Sequence, residues 1–225
     1  MIDRIVDEVL KGLDRYSEDY ANSLYNRVSM FLDYTQLPCC FMERPIDISQ
    51  VTSRVKNLYD NATTLIEDRR TNTIVNLGTY EEAGFISAMM MERYVKDCLS
   101  KDNHIVSVLY IDTNLLIEDY KKLMDYKEGK LSPSTIHSME VLYKEITEAD
   151  FVFWDRFAMV NSAFAYSKLY EILTIRYRRC LGNMFFITGG LNTFTHSKDA
   201  EFMSVMKAKR IYELQQEKIK HKEEN

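Results

Sequence analysis

The sequence predicts an α/β fold, a parallel sheet with helices on both faces, preceded by an N-terminal helical segment. Three observations predict it. The 225 residues include only 7 glycines and 3 prolines, which favours long helices and short connections over an all-β chain. Short apolar runs alternate with longer stretches of helical period, the order that yields right-handed βαβ crossovers. His104–Ile111 (HIVSVLYI) is almost continuously apolar, as a strand covered on both faces must be.

Taken in order, Ile2 to Tyr34 places Ile2, Val6, Val9, Leu13, Tyr16, Tyr20, Leu24, Val28 and Phe31 at spacings of four and three. This is a helical stripe with a charged opposite face, and it needs an apolar partner. That partner is either the body of the same chain or another protein, for which Val6, Val9, Leu13, Tyr16 and Tyr20 are the candidate binding residues. Leu37-Pro38 breaks the pattern, so a boundary is expected near residue 36. Helix is expected again from Ser49 to Glu67, a short β-branched strand at Thr73–Leu77, and helix over Ala83–Cys98. After the strand at His104–Ile111 come a helix at Leu115–Tyr126, a loop at Lys127–Thr135 and a helix at Ile136–Ile146. Phe151–Trp154 (FVFW) reads as strand, Ala163–Cys180 as helix and Asn183–Thr188 (NMFFIT) as strand. The last ten residues, nearly all charged or amide-bearing, are expected to fray. The expected organisation is thus an N-terminal helical segment over 1–36, a main domain over 37–215 and a charged tail over 216–225.

Composition excludes several classes. With 34 acidic against 29 basic residues, a net charge of −5 argues against coating nucleic acid unaided, which needs a surplus of cations on the contact face. Cys180 to Ser197, a long run without formal charge, is interrupted by Asn183, Gly189, Gly190, Asn192 and His196, so it is no membrane span. Asp3 and Arg4 stand where a signal peptide needs apolar residues, and a cytoplasmic protein is expected. Cys39, Cys40, Cys98 and Cys180 form no CxxC pair and have no histidine at zinc spacing, so no metal is expected. His104, His137, His196 and His221 are scattered, with no Ser or Cys placed for a nucleophile dyad.

Several segments, in order, resemble the AAA+ module of bacterial replicative helicase loaders, the DnaC/DnaI family, over roughly residues 37–215. Leu37-Pro38-Cys39-Cys40-Phe41 resembles the short motif, ending in an aromatic, that opens that module. Ile74–Met89 falls where its first strand, phosphate loop and helix stand, and Val106–Leu116 resembles the second strand and following helix. Ala149–Phe157 (ADFVFWDRF) resembles the strand bearing the Walker B acid. Leu169–Cys180 followed by Phe185-Phe186-Ile187-Thr188 resembles the next helix and the sensor strand. The resemblance implies an AAA+-like sheet, a nucleotide site, and a helicase held through the N-terminal region.

At the nucleotide site the sequence departs from that pattern. A phosphate loop, G-x-x-x-x-G-K-[ST], wraps phosphates with backbone N–H groups, a lysine and a magnesium-holding hydroxyl. Aligned on Gly78, Gly84 takes the lysine position and Phe85 the hydroxyl position, and no lysine occurs between Arg70 and Lys96. Glu81 and Glu82 put negative charge where phosphates would sit. Asp155 matches the Walker B acid, but Arg156 follows where a second acid is normal, and Gly189-Gly190 stand where a polar sensor is usual. The expected reading is a pseudo-ATPase without cofactor, acting by protein–protein contact in DNA replication, of a phage, plasmid or other mobile element. Its expected partner is a replicative helicase or the host loader, with weak single-stranded DNA contact and homo- or hetero-oligomers as further options. Two alternatives are a magnesium-dependent enzyme using Asp155 or Glu81-Glu82, and a subunit completing a ring of active AAA+ copies.

Three further groups have competing readings. Met89-Met90-Met91 are core or a partner surface. Arg176, Arg178 and Arg179 cap a helix end or contact DNA or a neighbouring subunit. Lys207, Lys209 and Arg210 lie near the family's second sensor, where Arg210 is expected to pair with an acid.

Overall fold

The computed structural model describes residues 1–43, 47–125, 132–157, 163–188 and 208–214. Along the chain run α1 (Ile2–Lys11), α2 (Glu18–Thr35), α3 (Cys39–Glu43), α4 (Ser53–Asp60), α5 (Ala62–Glu67), β1 (Asn72–Leu77) and α6 (Glu81–Ser100). There follow β2 (Val108–Asp112), α7 (Thr113–Asp125), α8 (Pro133–Glu148), β3 (Phe151–Asp155), α9 (Ala163–Arg178), β4 (Gly182–Thr188) and β5 (Ala208–Glu213). The strands form one sheet in the order β2-β3-β4-β1-β5, and every pairing is parallel.

Side chains alternate across a strand, and the two cores divide on that period. Val75 and Leu77 of β1, Val108 and Tyr110 of β2, Phe151 and Phe153 of β3, and Met184 and Phe186 of β4 face one layer of helices, α1, α2, α4, α5 and α6. Ile74, Leu109, Ile111, Val152, Trp154, Phe185 and Ile187 face the other layer, α7, α8 and α9. Both faces are covered, which is why these strands read as unbroken apolar runs. Met89, Met90 and Met91 are fully buried in the first core.

The predicted N-terminal helix is two helices. α1 ends at Lys11 with Gly12 as its cap, and α2 restarts after Ser17, whose hydroxyl accepts the Tyr20 N–H at 3.2 Å. Both pack into the main core: Ile5, Val6, Val9, Leu10, Leu24, Val28 and Phe31 are buried there beside α6. An ionic cluster reinforces the seam. Arg4 pairs with Glu92 through two bonds, its Nε donating at 3.1 Å, and Lys96 Nζ donates to Glu8 at 2.5 Å and to Glu92 at 2.6 Å. The stripe's partner is therefore the body of the same chain, which corrects Val6 and Val9 as surface for another protein.

Other element boundaries differ for local reasons. The helix expected from Ser49 starts instead at Ser53, capped by Thr52, and breaks at Asn61 between α4 and α5. Pro133, read as a loop residue, opens α8 behind a Ser132 cap, the first-turn position where proline costs nothing. β2 begins at Val108 rather than His104. β5 was not expected as a strand; it pairs with β1 at the sheet edge, and Arg210 there donates to Asp68 at 2.9 Å. Gly189, Gly190, Lys207 and the tail over 216–225 lie outside the described residues.

Candidate functional site

In an open parallel sheet the ligand crevice lies beyond the carboxyl ends of the strands, where the strand order reverses. Here those ends carry Leu77-Gly78 of β1, Asp112 of β2 and Asp155 of β3, with Asp112 and Asp155 as direct register partners. They open onto a cleft of about 600 Å³ whose lining includes Phe41, Tyr80, Glu81, Tyr110, Asp112, Asp155 and Arg156. The structure thus gathers Glu81, Asp155 and Arg156 into one site.

The strand-to-helix connection beside it is short. β1 ends at Leu77 and α6 begins at Glu81, leaving three residues, 78–80, where a phosphate loop needs enough backbone to curl around an anion. Residues 81–85, which would complete such a loop in the sequence alignment, are already helical. The Gly78 N–H donates to Glu82 Oε2 at 3.3 Å, so the helix's own carboxylate holds the donor that a phosphate would take. Glu81 and Glu82 in the first turn suit the positive end of the helix dipole and need no external anion. Gly84 faces the ring of Phe41, which would overlap any Cβ at that position. Phe85 packs against the first core. The first cation along α6 is Arg93, whose Nε lies 3.2 Å from Asp97 on the same helix. No lysine stands in this turn or in the first turns of α6, and Phe85 occupies the position aligned with the magnesium-holding hydroxyl.

The acids at the neighbouring strand ends are organised by one another. Tyr110 donates its hydroxyl to Asp155 Oδ2 at 2.6 Å, and Asp155 is only 4% exposed. Its Oδ1 has no hydrogen-bond partner among the described residues. Burial raises the Asp155 pKa above its ordinary value, and the charge of Asp112 raises it further, against the lowering effect of the Tyr110 and Arg156 donors. Burial beside that carboxylate also raises the Tyr110 phenol. Asp112 caps α7, its Oδ1 accepting the N–H groups of Asn114 at 3.0 Å and Leu115 at 3.2 Å. Arg156 has a left-handed backbone, φ 53°. Its guanidinium lies 3.2 Å from Asp112 Oδ2 and 4.0 Å from Asp155 Oδ2. Sequence reasoning singled out Asp155 but passed over Asp112 and Tyr110. The signal was present in VLYID and FVFWD, two apolar runs each closed by an aspartate.

The arginines of α9 stand elsewhere. α9 delivers the chain to the start of β4, so its last turn lies at the amino edge of the sheet, opposite the cleft. Arg176 is fully buried. It donates from Nε to Asn183 Oδ1 at 2.7 Å, from Nη1 to the carbonyls of Ile146 at 2.6 Å and Ala149 at 2.8 Å, and from Nη2 to that of Gly182 at 2.5 Å. This corrects its expected contact with DNA or a subunit: it is an internal strut joining α8, α9 and β4. Burial lowers its pKa, with the charge of Asp150 opposing. Arg178 and Arg179 are exposed, and Arg179 Nη1 lies 3.7 Å from Glu148. Of the expected partner residues, Leu13 and Tyr16 are 41% and 54% exposed, whereas Tyr20 packs partly into the first core. Among the described residues no cluster of three His, Cys, Asp or Glu could hold a metal, and no helix is long and apolar enough to cross a membrane.

No protein-family model matches the chain, and no curated protein matches it in sequence. Solved structures do match. DnaI superposes at a TM-score of 0.55 and 14% identity, covering 81% of this chain and 94% of that one. A primosome component from Streptococcus pyogenes serotype M3 superposes at 0.51 and 14% identity, covering 80% and 91%. The DnaC helicase loader does so at 0.48 and 14%, covering 83% and 99%. At this identity the likeness is one of fold: the chain has the AAA+-like α/β architecture that the sequence resemblance implied.

Proposed function

We propose that this chain is a helicase-loader-like protein that acts in DNA replication by binding other proteins and neither holds nor hydrolyses ATP. The observation that carries the reading is the connection between β1 and α6. It is three residues long, its Gly78 N–H is taken by Glu82, and no lysine follows before Lys96. Three negative phosphates brought beside Glu81 and Glu82 would be repelled by several kcal/mol, on the order expected for like charges a few ångströms apart in a partly dry site. The likeness in fold to DnaI and to the primosome component supports the replication setting and a helicase or its loader as the partner. A phage, plasmid or mobile-element origin fits a loader scaffold that has lost its own site.

With Val6 and Val9 committed to the core, the surface left for a partner at this end of the molecule is the α1–α2 turn and the outer face of α2. Leu13, Tyr16, Tyr25 and Met30 are exposed along this stretch, Met30 at 73%, and each is available to a partner's apolar surface. Capture of the host replicative helicase or loader by the tagged full chain tests the proposal. Capture that is weakened by Tyr16→Ala with Met30→Ala supports it. Failure to bind either partner removes the replication role.

A further inference from the structure

The four cysteines are free thiols in different settings: Cys98 is buried, whereas Cys39, Cys40 and Cys180 are exposed. Cys180 stands by itself after the end of α9. Cys39 and Cys40 are joined by one peptide bond and together open the five-residue helix α3. Two accessible thiols so joined form a vicinal dithiol: whichever sulfur reacts first has the second held beside it, at a high effective concentration.

α3 is lightly built around that pair. Leu37 before it is buried, the Phe41 N–H donates to the Pro38 carbonyl at 2.9 Å, and Phe41 and Met42 pack partly into the first core. The Phe41 ring covers Gly84 near the start of α6, and Cys40 and Phe41 both line the cleft. A helix this short has little stability of its own, so its shape depends on those contacts. Successive side chains of a helix do not face each other, and the two sulfurs cannot bond while α3 keeps its shape. The peptide fixes their Cα atoms about 3.8 Å apart, closer than the roughly 4.4–6.8 Å of structural disulfides. A disulfide closed here is therefore strained, and strained, exposed disulfides are the easily reduced, regulatory kind.

We propose that Cys39 and Cys40 are a reversible redox-modification site, closed to an intramolecular disulfide by a low-molecular-weight disulfide such as oxidised glutathione. One thiolate attacks the S–S bond of the reagent, forming a mixed disulfide and expelling a first small thiol. The neighbouring thiolate then attacks the protein sulfur of that mixed disulfide and expels the second. The two protein thiols give up two electrons and two protons to the reagent, which departs as two thiols. Closure unwinds α3 and draws the Phe41 ring off Gly84, so the start of α6 loosens with it.

The test equilibrates the full-length chain in buffers of rising oxidised-to-reduced glutathione ratio, quenches in acid, and reads peptide mass and amide hydrogen exchange. The peptide holding Cys39 and Cys40 is expected to lose two hydrogens and to carry no glutathione, while buried Cys98 stays a thiol. In Cys39→Ser, at an exposed position, Cys40 is expected to retain one glutathione, because no neighbouring thiol displaces it. Exchange over residues 39–43 and 81–86 is expected to quicken severalfold on oxidation of the unaltered chain and to recover on adding dithiothreitol. Cys180→Ser should leave both readouts unchanged. Glutathione retained on Cys39 and Cys40 of the unaltered chain, thiols that persist there in fully oxidised glutathione, or exchange in α3 that does not respond to closure would each overturn the proposal.

Discussion

Glu82 accepts the backbone N–H of Gly78 at 3.3 Å, closing the β1–α6 turn on itself. In a phosphate-binding loop that N–H points at an anion. Here the anion is a side chain four residues on, tethered to the helix it serves, so the turn is complete without a ligand.

Gly84 is held by the ring of Phe41 lying against its Cα. An alanine in a helix interior is ordinarily favoured over glycine by about 1 kcal/mol, but overpacking costs roughly 1–3 kcal/mol. Gly84→Ala is therefore expected to destabilise the chain in urea unfolding, and to stabilise it in a Phe41→Ala background. A stabilising effect in both backgrounds would show that the ring does not press on the helix.

Arg176 spends its guanidinium on one side-chain and three backbone oxygens with no exposure. Arg176→Met would leave those acceptors unpaired, and Arg176→Lys cannot span them with one ammonium. Losses of about 3 kcal/mol or more are expected for the first and about 2 kcal/mol for the second by chemical denaturation, from the cost of orphaned buried acceptors. Arg178→Glu with Arg179→Glu should change stability by under about 1 kcal/mol, as exposed charges do.

Glu92, 4% exposed, receives both Arg4 and Lys96. Glu92→Ala is expected to cost about 2 kcal/mol, less than a fully buried pair because Arg4 is partly in water. Deletion of residues 1–36 strips α1 and α2 from the first core, and loss of cooperative unfolding is expected. A truncated chain that melts as sharply as the whole would mark 1–36 as a separate unit.

Burial holds Asp155 above its ordinary pKa. An acid raised in the folded state favours folding below its unfolded pKa, and that contribution is lost as pH rises through the folded value. At pH 7 its charge therefore costs stability. Asp155→Asn is expected to gain roughly 1 kcal/mol at pH 7, or about 2–4 °C in Tm for a chain of this size. The gain should vanish near pH 3. Stability that falls at pH 7 in the variant would mean the carboxylate is satisfied in the fold.

The parts legible in the sequence are those where one physical rule decides. β1 to β4 are buried on both faces, so hydrophobicity alone marks them. AKRIYE of β5 mixes charge with apolar residues, and it pairs with β1 at the sheet edge. The helical stripe over Ile2–Phe31 was real, but Gly12 and the Ser17 cap divide it, and its partner proved to be α6. Arg176 and Glu92 look like surface residues in a helical pattern and are in fact buried, since pairing across elements is invisible to periodicity. At the cleft, the missing lysine and the paired glutamates were visible. The shortened turn, the Phe41 lid on Gly84 and the unpartnered oxygen of Asp155 required the fold.

Calorimetric titration of the purified full-length chain with ATP and magnesium reads directly whether the β1–α6 turn can hold a nucleotide. No saturable heat up to millimolar ATP is expected, since the turn has three residues and its Gly78 N–H is taken by Glu82. A dissociation constant in the micromolar range for the unaltered chain would contradict the account.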